Sequence, residues 1–358
     1  YKRQVHGQGT LYLTELNSDV KSVKGKPVKI WQGGFKNAHE LGGGFGMEGS
    51  HMYRINGKYY ITCPAGGTGG WQICLRSDNI YGPYEHKLIM NDWSSYPENG
   101  LHQGGMVQLK NGDWWFMIMQ DRGPIGRVPC LVPVKWIDGW PMLGDEGKDL
   151  ITYPKPATGK KSKIKSPATT DEFNASQLGL QWQWNHNPDN SRWSLKERKG
   201  YMRLYASQAS TLKDARNTLT QRVQGPSCEG SVEMEVTGLK DGNIAGFGIF
   251  EFPYAYVAIR QESGRRKIVM CNDGKDIETV EHFNGDKLWI RVRATDKEFK
   301  ALFYYSLDGV NYKRIGNELQ MGLGLPWTAN RFALFNFNTT PQGNNGYADF
   351  NWFRFTNK

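Results

Sequence analysis

The chain has 358 residues, a formal net charge of +10, 43 glycines and 13% aromatic residues, a length that allows two domains and a composition that points to strands and turns. It holds no apolar run near the ~18 residues a membrane helix needs. Half of the excess charge is five lysines between 155 and 165, with no zinc-finger, helix-turn-helix or RNP pattern beside them, so they read as a solvated linker and no nucleic-acid partner is expected.

In chain order, Thr10–Leu16 reads as a strand, and the Gly-rich strip from Trp31 to Met47 as an irregular loop. A repeat with a 55-residue offset follows. Met47-Glu48-Gly49-Ser50-His51 through Asn56-Gly57-Lys58-Tyr59-Tyr60 aligns with His102-Gln103-Gly104-Gly105 through Asn111-Gly112-Asp113-Trp114-Trp115. Strand, Asn-Gly, strand at that period is about the size of one propeller blade. Tyr59–Cys63 is expected to pair with Trp71–Leu75 across the glycines at 66–70, and Asn111-Gly112 to form a type I′ turn before Trp114–Gln120. No helix of three turns is apparent. The five cysteines, 63, 74, 130, 228 and 271, include no CxxC; Cys63 and Cys74 flank one hairpin, and buried unpaired thiols are the favoured reading.

Equivalent positions in successive blades face one axis, so Glu48, His102 and Gln103 are expected to converge. Glu48 is open to two readings. One is a general acid at the start of an inner strand, ringed by apolar groups that raise its pKa. The other is a strand-end ion pair; the repeat favours the first. His102 adjoins small residues that let a ligand approach, which favours a site role over a structural one. Arg127 either reaches inward to clamp a sugar or hold a carboxylate, or lies on the surface; Asp121 and Arg122 read as pairing with neighbours. Sugar hydrolysis uses two carboxyl groups. Glu40, Asp78, Asp92 and Glu98 lie in loops, Asp113 and Asp138 at turns, and none is a convincing partner for Glu48.

Residues 153–168 read as a linker between a first domain, 1–152, and a second, 169–358. In the second, Ser231–Val236, Leu288–Arg293 and Phe332–Phe337 alternate apolar and polar residues, and Asp273-Gly274 and Asp308-Gly309 mark hairpins, the pattern of a two-sheet sandwich. Tyr254 and Trp327 are either sugar-stacking aromatics or, as for most sandwich aromatics, core. The fold class expected is all-β: an N-terminally incomplete propeller followed by a β-sandwich.

Glu48-Gly49-Ser50-His51 with Asn56-Gly57-Lys58-Tyr59-Tyr60, His102-Gln103-Gly104-Gly105, Gln120-Asp121-Arg122-Gly123, Gly126-Arg127-Val128-Pro129 and Trp136-Ile137-Asp138-Gly139-Trp140-Pro141 together resemble the later blades of glycoside hydrolase family 43. Asp171-Glu172-Phe173, Leu180 to Pro188 and Tyr347-Ala348-Asp349-Phe350 resemble the concanavalin-A-like sandwich that follows that propeller. The resemblance implies a five-bladed-type propeller and an inverting β-xylosidase or α-L-arabinofuranosidase. Glu48 would be its general acid, and His102 would sit at the axis near a hydrated cation. Gln103 and Arg127 would bind the substrate, a xylo- or arabino-oligosaccharide. It further implies an aspartate base about 6.5–9.5 Å from the acid and a second aspartate that tunes it. Both belong to blades with no counterpart in this sequence, so the polypeptide alone is expected to be inactive unless a separate N-terminal fragment completes the ring. Asp171 and Asp349 are the candidate ligands of a structural Ca²⁺ in the sandwich, or else strand-end caps. By analogy the protein is expected to be secreted or periplasmic and bacterial. The rival expectations are a non-catalytic carbohydrate-binding or scaffold protein, and a lectin-like module working through the sandwich alone.

Overall fold

The computed structural model describes residues 9–32, 47–65, 70–91, 100–148, 152–159, 163, 165–295, 297–322, 328–340 and 345–357. Residues 33–46 of the loop expected from Trp31 to Met47, most of the glycine turn at 66–70, and Glu40, Asp92, Glu98 and Trp327 lie outside them, while Trp31 and Gln32 end a strand and are not loop. The chain divides into two compact units, 1–122 with 127–162, and 123–126 with 163–358. Among the described residues the regular structure is strand, apart from one 3-10 turn at Gly123–Ile125.

The first unit opens with a two-stranded ribbon, β1 (Thr10–Leu16) against β2 (Val23–Gln32). Two four-stranded antiparallel meanders of propeller-blade type follow. The first is β3 (His51–Ile55), β4 (Lys58–Ala65), β5 (Trp71–Ser77) and β6 (Glu85–Met90). The second is β7 (His102–Gln108), β8 (Trp114–Asp121), β9 (Arg127–Ile137) and β10 (Trp140–Leu143). The expected hairpin is present, with Tyr59 opposite Ser77 and Cys63 opposite Ile73. That register puts Cys63 and Cys74 on opposite faces of the sheet, where they enter different apolar clusters, and none of the five cysteines is in a disulfide.

The Asn-Gly turns differ from expectation in an instructive way. Asn56 and Gly57 both have positive φ, 50° and 84°, and Ile55 pairs with Lys58, so the type I′ turn is here. At the second site Gln108 pairs with Trp114. The Gly112 N–H donates to the Leu109 carbonyl, and of Asn111 and Gly112 only Gly112 has positive φ. This is the longer loop built on a type I turn with a left-handed glycine at its end.

The two meanders pack through Tyr60, Cys74, Ile89, Met106, Phe116, Ile118 and Val132, all buried. Polar ties add direction: the Tyr60 hydroxyl donates to the Gly139 carbonyl, Arg76 Nη1 to the Asp138 carbonyl, and the Met106 N–H to the Tyr53 hydroxyl. The opposite face of the second meander is different: Val107 and Met117 there are 50% and 51% exposed, and Leu131 is exposed as well.

The second unit is a two-sheet sandwich. One sheet runs in the order β11 (Gln183–Trp184), β15 (Leu219–Arg222), β25 (Arg331–Asn338), β17 (Asn243–Phe250), β18 (Ala255–Glu262), β19 (Arg265–Asn272), β20 (Lys275–Val280), with β14 (Ser207–Gln208) on β25. The other runs β12 (Trp193–Ser194), β13 (Met202–Tyr205), β26 (Tyr347–Asn357), β16 (Ser227–Glu235), β21 (Lys287–Thr295), β22 (Lys300–Ser306), β23 (Lys313–Arg314), with β24 (Leu319–Gln320) on β22. Strand β21 alternates as expected: Leu288, Ile290, Val292 and Ala294 enter the inter-sheet core beside Phe303, Phe350 and Phe353. Strand β25 does not alternate. Phe332 and Leu334 face that core, while Ala333, Phe335 and Phe337 enter a second cluster on the sheet's other face with Leu212 and Tyr256. Tyr254 is buried in that second cluster, so it is core and not a sugar platform.

Candidate functional site

The site is built where β7 begins, β8 ends and β9 begins. Gln103 has a φ of 58°, and the β7–β8 register slips between His102 and Gly104, so Gln103 occupies a bulge. Bulges re-aim a side chain and are common beside active sites. Gly104 fits the irregularity because a Cβ there would lie 1.8 Å from the Met117 carbonyl oxygen. The Gln103 N–H donates to Gln72 Oε1 at 2.8 Å, and Gln103 Oε1 accepts from Arg127 Nη1 at 3.4 Å. Arg127 is held by Asp121, with Nε 3.2 Å from Oδ1. Asp121 and Arg127 are directly paired across β8 and β9.

His102 is 3% exposed. Burial pushes its pKa down, an effect opposed by the Gly100 carbonyl and the Asp121 carboxylate and reinforced by the Arg127 charge. A carbonyl can only accept, so the 3.0 Å contact from Nδ1 to the Gly100 oxygen assigns the proton to Nδ1. In the neutral ring Nε2 is then a bare acceptor. It lies 3.8 Å from Asp121 Oδ2, a buried oxygen with no hydrogen-bond partner among the described residues. Gln72 Nε2 is in the same condition. Two adjacent acceptors ask for a donor, and a water, a sugar hydroxyl or the water shell of a hydrated cation would satisfy both. No group of three or more His, Cys, Asp or Glu side chains converges as a direct metal set among the described residues.

Glu48 lies on the turn Glu48–Gly49, three residues before β3, and its side chain is exposed. It is therefore neither on a strand nor ringed by apolar groups; Met47 takes the buried position instead. The turn nevertheless abuts the cluster: a Cβ on Gly49 would sit 2.7 Å from Gln103 Nε2. His102, Gln103 and Arg127 thus come together with the Glu48 turn alongside.

Two members were not among the expected site residues. Asp121 was read as pairing with neighbours, and its link to Arg127 is indeed a neighbour pair, but one that forms the heart of the cluster. Gln72 is fully buried within Trp71-Gln72-Ile73-Cys74-Leu75, and one amide in an apolar strand is the signal that was available.

In the sandwich pair both carboxylates are taken up by protein donors. Asp349 is buried and accepts from Arg203 Nε and Nη2 and from Arg198 Nη1. Asp171 uses Oδ1 to cap the Phe173 N–H and Oδ2 to accept from Trp182 Nε1. All four carboxylate oxygens have donors, and two guanidinium groups beside Asp349 would repel a cation. The cap reading holds for Asp171, and a buried ion pair replaces it for Asp349.

Residues 1–141 match the family model for glycosyl hydrolases family 43, and residues 170–356 that for the beta xylosidase C-terminal concanavalin A-like domain. A beta-xylosidase of Formosa agariphila is 32% identical over 87% of the chain and 60% of its own length. A non-reducing end alpha-L-arabinofuranosidase of Bacteroides ovatus is 28% identical over 87% of the chain and 63% of its own length. The chain thus spans about 60% of the length of such curated relatives. A solved bifunctional GH43-CE protein of Bacteroides eggerthii superposes with a TM-score of 0.85 at 38% identity, over 98% of the chain and 46% of that protein. With blade-type sheets ahead of a sandwich and both family signatures in order, the chain belongs to glycoside hydrolase family 43.

Proposed function

We propose that the chain is the later-blade and sandwich portion of an inverting exo-hydrolase that removes xylose or arabinose from xylan or arabinan side chains. The observation that carries the reading is the joined cluster Gln72–Gln103–Arg127–Asp121–His102 with the Glu48 turn against it. Glu48 is the general acid that protonates the leaving oxygen. Arg127, fixed by Asp121, and Gln103 bind the sugar hydroxyls of the residue being cleaved. His102 and Asp121 hold water, or the water shell of a cation, at the floor of the site.

Inversion needs a carboxylate base about 6.5–9.5 Å from the acid, with a water between. Asp121 is committed to Arg127, so we assign the base to polypeptide outside this sequence, as the 60% share of the relatives' length allows. The 358 residues alone are then inactive or nearly so, and a separate N-terminal segment is the partner that restores turnover. A polysaccharide substrate places such an enzyme outside the cytoplasm, secreted or periplasmic.

The exposure of Glu48 favours one rival, a carbohydrate-binding scaffold that keeps the fold without the chemistry. Hydrolysis of p-nitrophenyl xyloside and arabinofuranoside separates the two. The chain complemented with the upstream segment of a family relative is expected to turn over one of them, and Glu48→Gln to lower kcat by roughly 10²–10⁴. Turnover that survives Glu48→Gln removes the acid assignment; no turnover with any complement supports the scaffold.

A further inference from the structure

The two meanders leave an open cleft of about 330 Å³ at the turn ends of β3 and β7. Arg54, Ile55, Asn56, Gln108, Trp114 and Trp136 line it. It lies at the far end of β7 from the catalytic cluster: six residue steps from His102 to Gln108 make roughly 20 Å.

Its composition is that of a sugar site. Trp114 and Trp136 are half-buried and meet edge to face with centroids 5.7 Å apart, and Tyr60 meets Trp136 edge to face at 5.4 Å. Indoles braced in this way give a rigid apolar surface for the C–H face of a furanose or pyranose ring. The polar rim is exposed and largely unspent. Arg54 has no carboxylate partner among the described residues, and only the Tyr59 ring lies near its guanidinium, at 5.8 Å. Asn56 makes no side-chain hydrogen bond among them, and Gln108 uses only Nε2, donating to the Gly112 carbonyl at 3.2 Å. Donors and acceptors in a ring around an aromatic floor match the hydroxyls of a neutral sugar, and no carboxylate lines the cleft to select a cation. The volume is at the lower end of the roughly 300–1,000 Å³ typical of small-ligand sites, which suits a short sugar segment.

We propose that this cleft is a second saccharide site, holding a pentose unit of the polysaccharide away from the hydrolytic centre. The choice of pentose rests on the proposed function; the cleft itself does not. Calorimetric titration of the full chain with xylohexaose and arabinohexaose tests it, using Arg127→Ala, Trp114→Phe and the double variant Arg54→Ala/Gln108→Ala. The first lies in the catalytic cluster, and the double variant alters only exposed side chains. The wild type and Arg127→Ala are expected to bind one hexaose with similar Kd, Trp114→Phe, which shrinks the aromatic floor, more weakly, and the double variant at least 10-fold more weakly, while the complemented enzyme's kcat on p-nitrophenyl substrates is unchanged by the double variant. Binding lost in Arg127→Ala but kept in the double variant overturns the proposal, as does absence of binding to either hexaose at millimolar sugar. Hydrolysis by the complemented enzyme without cleft binding overturns this inference alone, and cleft binding with no hydrolysis by the complemented enzyme overturns only the catalytic reading.

Discussion

Gln103 does three things at once: it takes a left-handed backbone conformation, accepts from Arg127, and packs against the Glu48 turn. Gly49 is what allows the last of these. Its φ is 55°, and a methyl group there would press on Gln103 Nε2 at 2.7 Å. Gly49→Ala is therefore strained and displaces the amide. The expected result is a fall of about 10²-fold in kcat/KM of the complemented enzyme, the scale of a 1 Å misplacement in a positioned site, with the thermal midpoint lowered only modestly. His102 gives a pH prediction. Its folded pKa lies below the ordinary ~6.5 because of burial, so below that pH the unfolded chain takes up a proton the folded chain resists. The contribution of His102 to stability is whole above about pH 6.5 and is lost as pH falls from there towards the depressed folded value. Urea midpoints from pH 7.5 to 5 should drop for the wild type, and His102→Gln should flatten that slope.

At the scale of the element, the outer face of the second sandwich sheet is a lattice of carboxylates and arginines. Asp349 on β26 joins Arg203 on β13 and Arg198, which also reaches Glu235 on β16. Removing one member of a buried pair costs about 3–5 kcal/mol when its partners are left uncompensated, and here Arg198 keeps Glu235 and Arg203 keeps Glu197, which places the cost at the low end. Asp349→Ala should therefore destabilise the sandwich by that amount, measured by denaturant titration, and millimolar Ca²⁺ should leave the wild-type midpoint where it is. Neither Arg198 nor Arg203 is near Asp349 in sequence, so no local pattern distinguishes a calcium ligand from an ion pair. The same limit explains the strands. Periodicity identified β21, which has one buried face, but β25 is buried on both faces, and its alternation disappears into an apolar run. Turn chemistry was legible as Asn-Gly, yet the turn type depended on how many residues separate the paired ends: none beyond Asn56-Gly57 in the first hairpin, five between Gln108 and Trp114 in the second. The repeat pointed to the meeting of the Glu48–Gly49 turn with His102 and Gln103, and the Gly49 position does lie against Gln103 Nε2. It did not reveal the exposure of Glu48, because a turn before a strand obeys no strand period.

For the whole molecule, the decisive feature is the bare side of the β7–β10 meander. Its other side is closed by the β3–β6 meander through Met106, Phe116 and Val132. Val107, Met117 and Leu131 on the bare side are exposed, although residues of this kind are normally covered. In a blade ring each sheet is sandwiched between two others, so this face fits a further blade, and under the proposed function the segment that supplies it also carries the catalytic base. One addition should therefore change two observables together. With the upstream segment of a family relative added in trans or fused ahead of the chain, binding of a hydrophobic dye should fall and p-nitrophenyl glycoside turnover should appear, at the same stoichiometry. Met117→Lys should block both, because a charge buried without a partner in the new interface costs several kcal/mol, while the isolated chain, in which the side chain is exposed, keeps its unfolding free energy within about 0.5 kcal/mol. Turnover that appears with Met117→Lys intact at this face would mean that the ring closes elsewhere, and the exposed residues would then need another explanation.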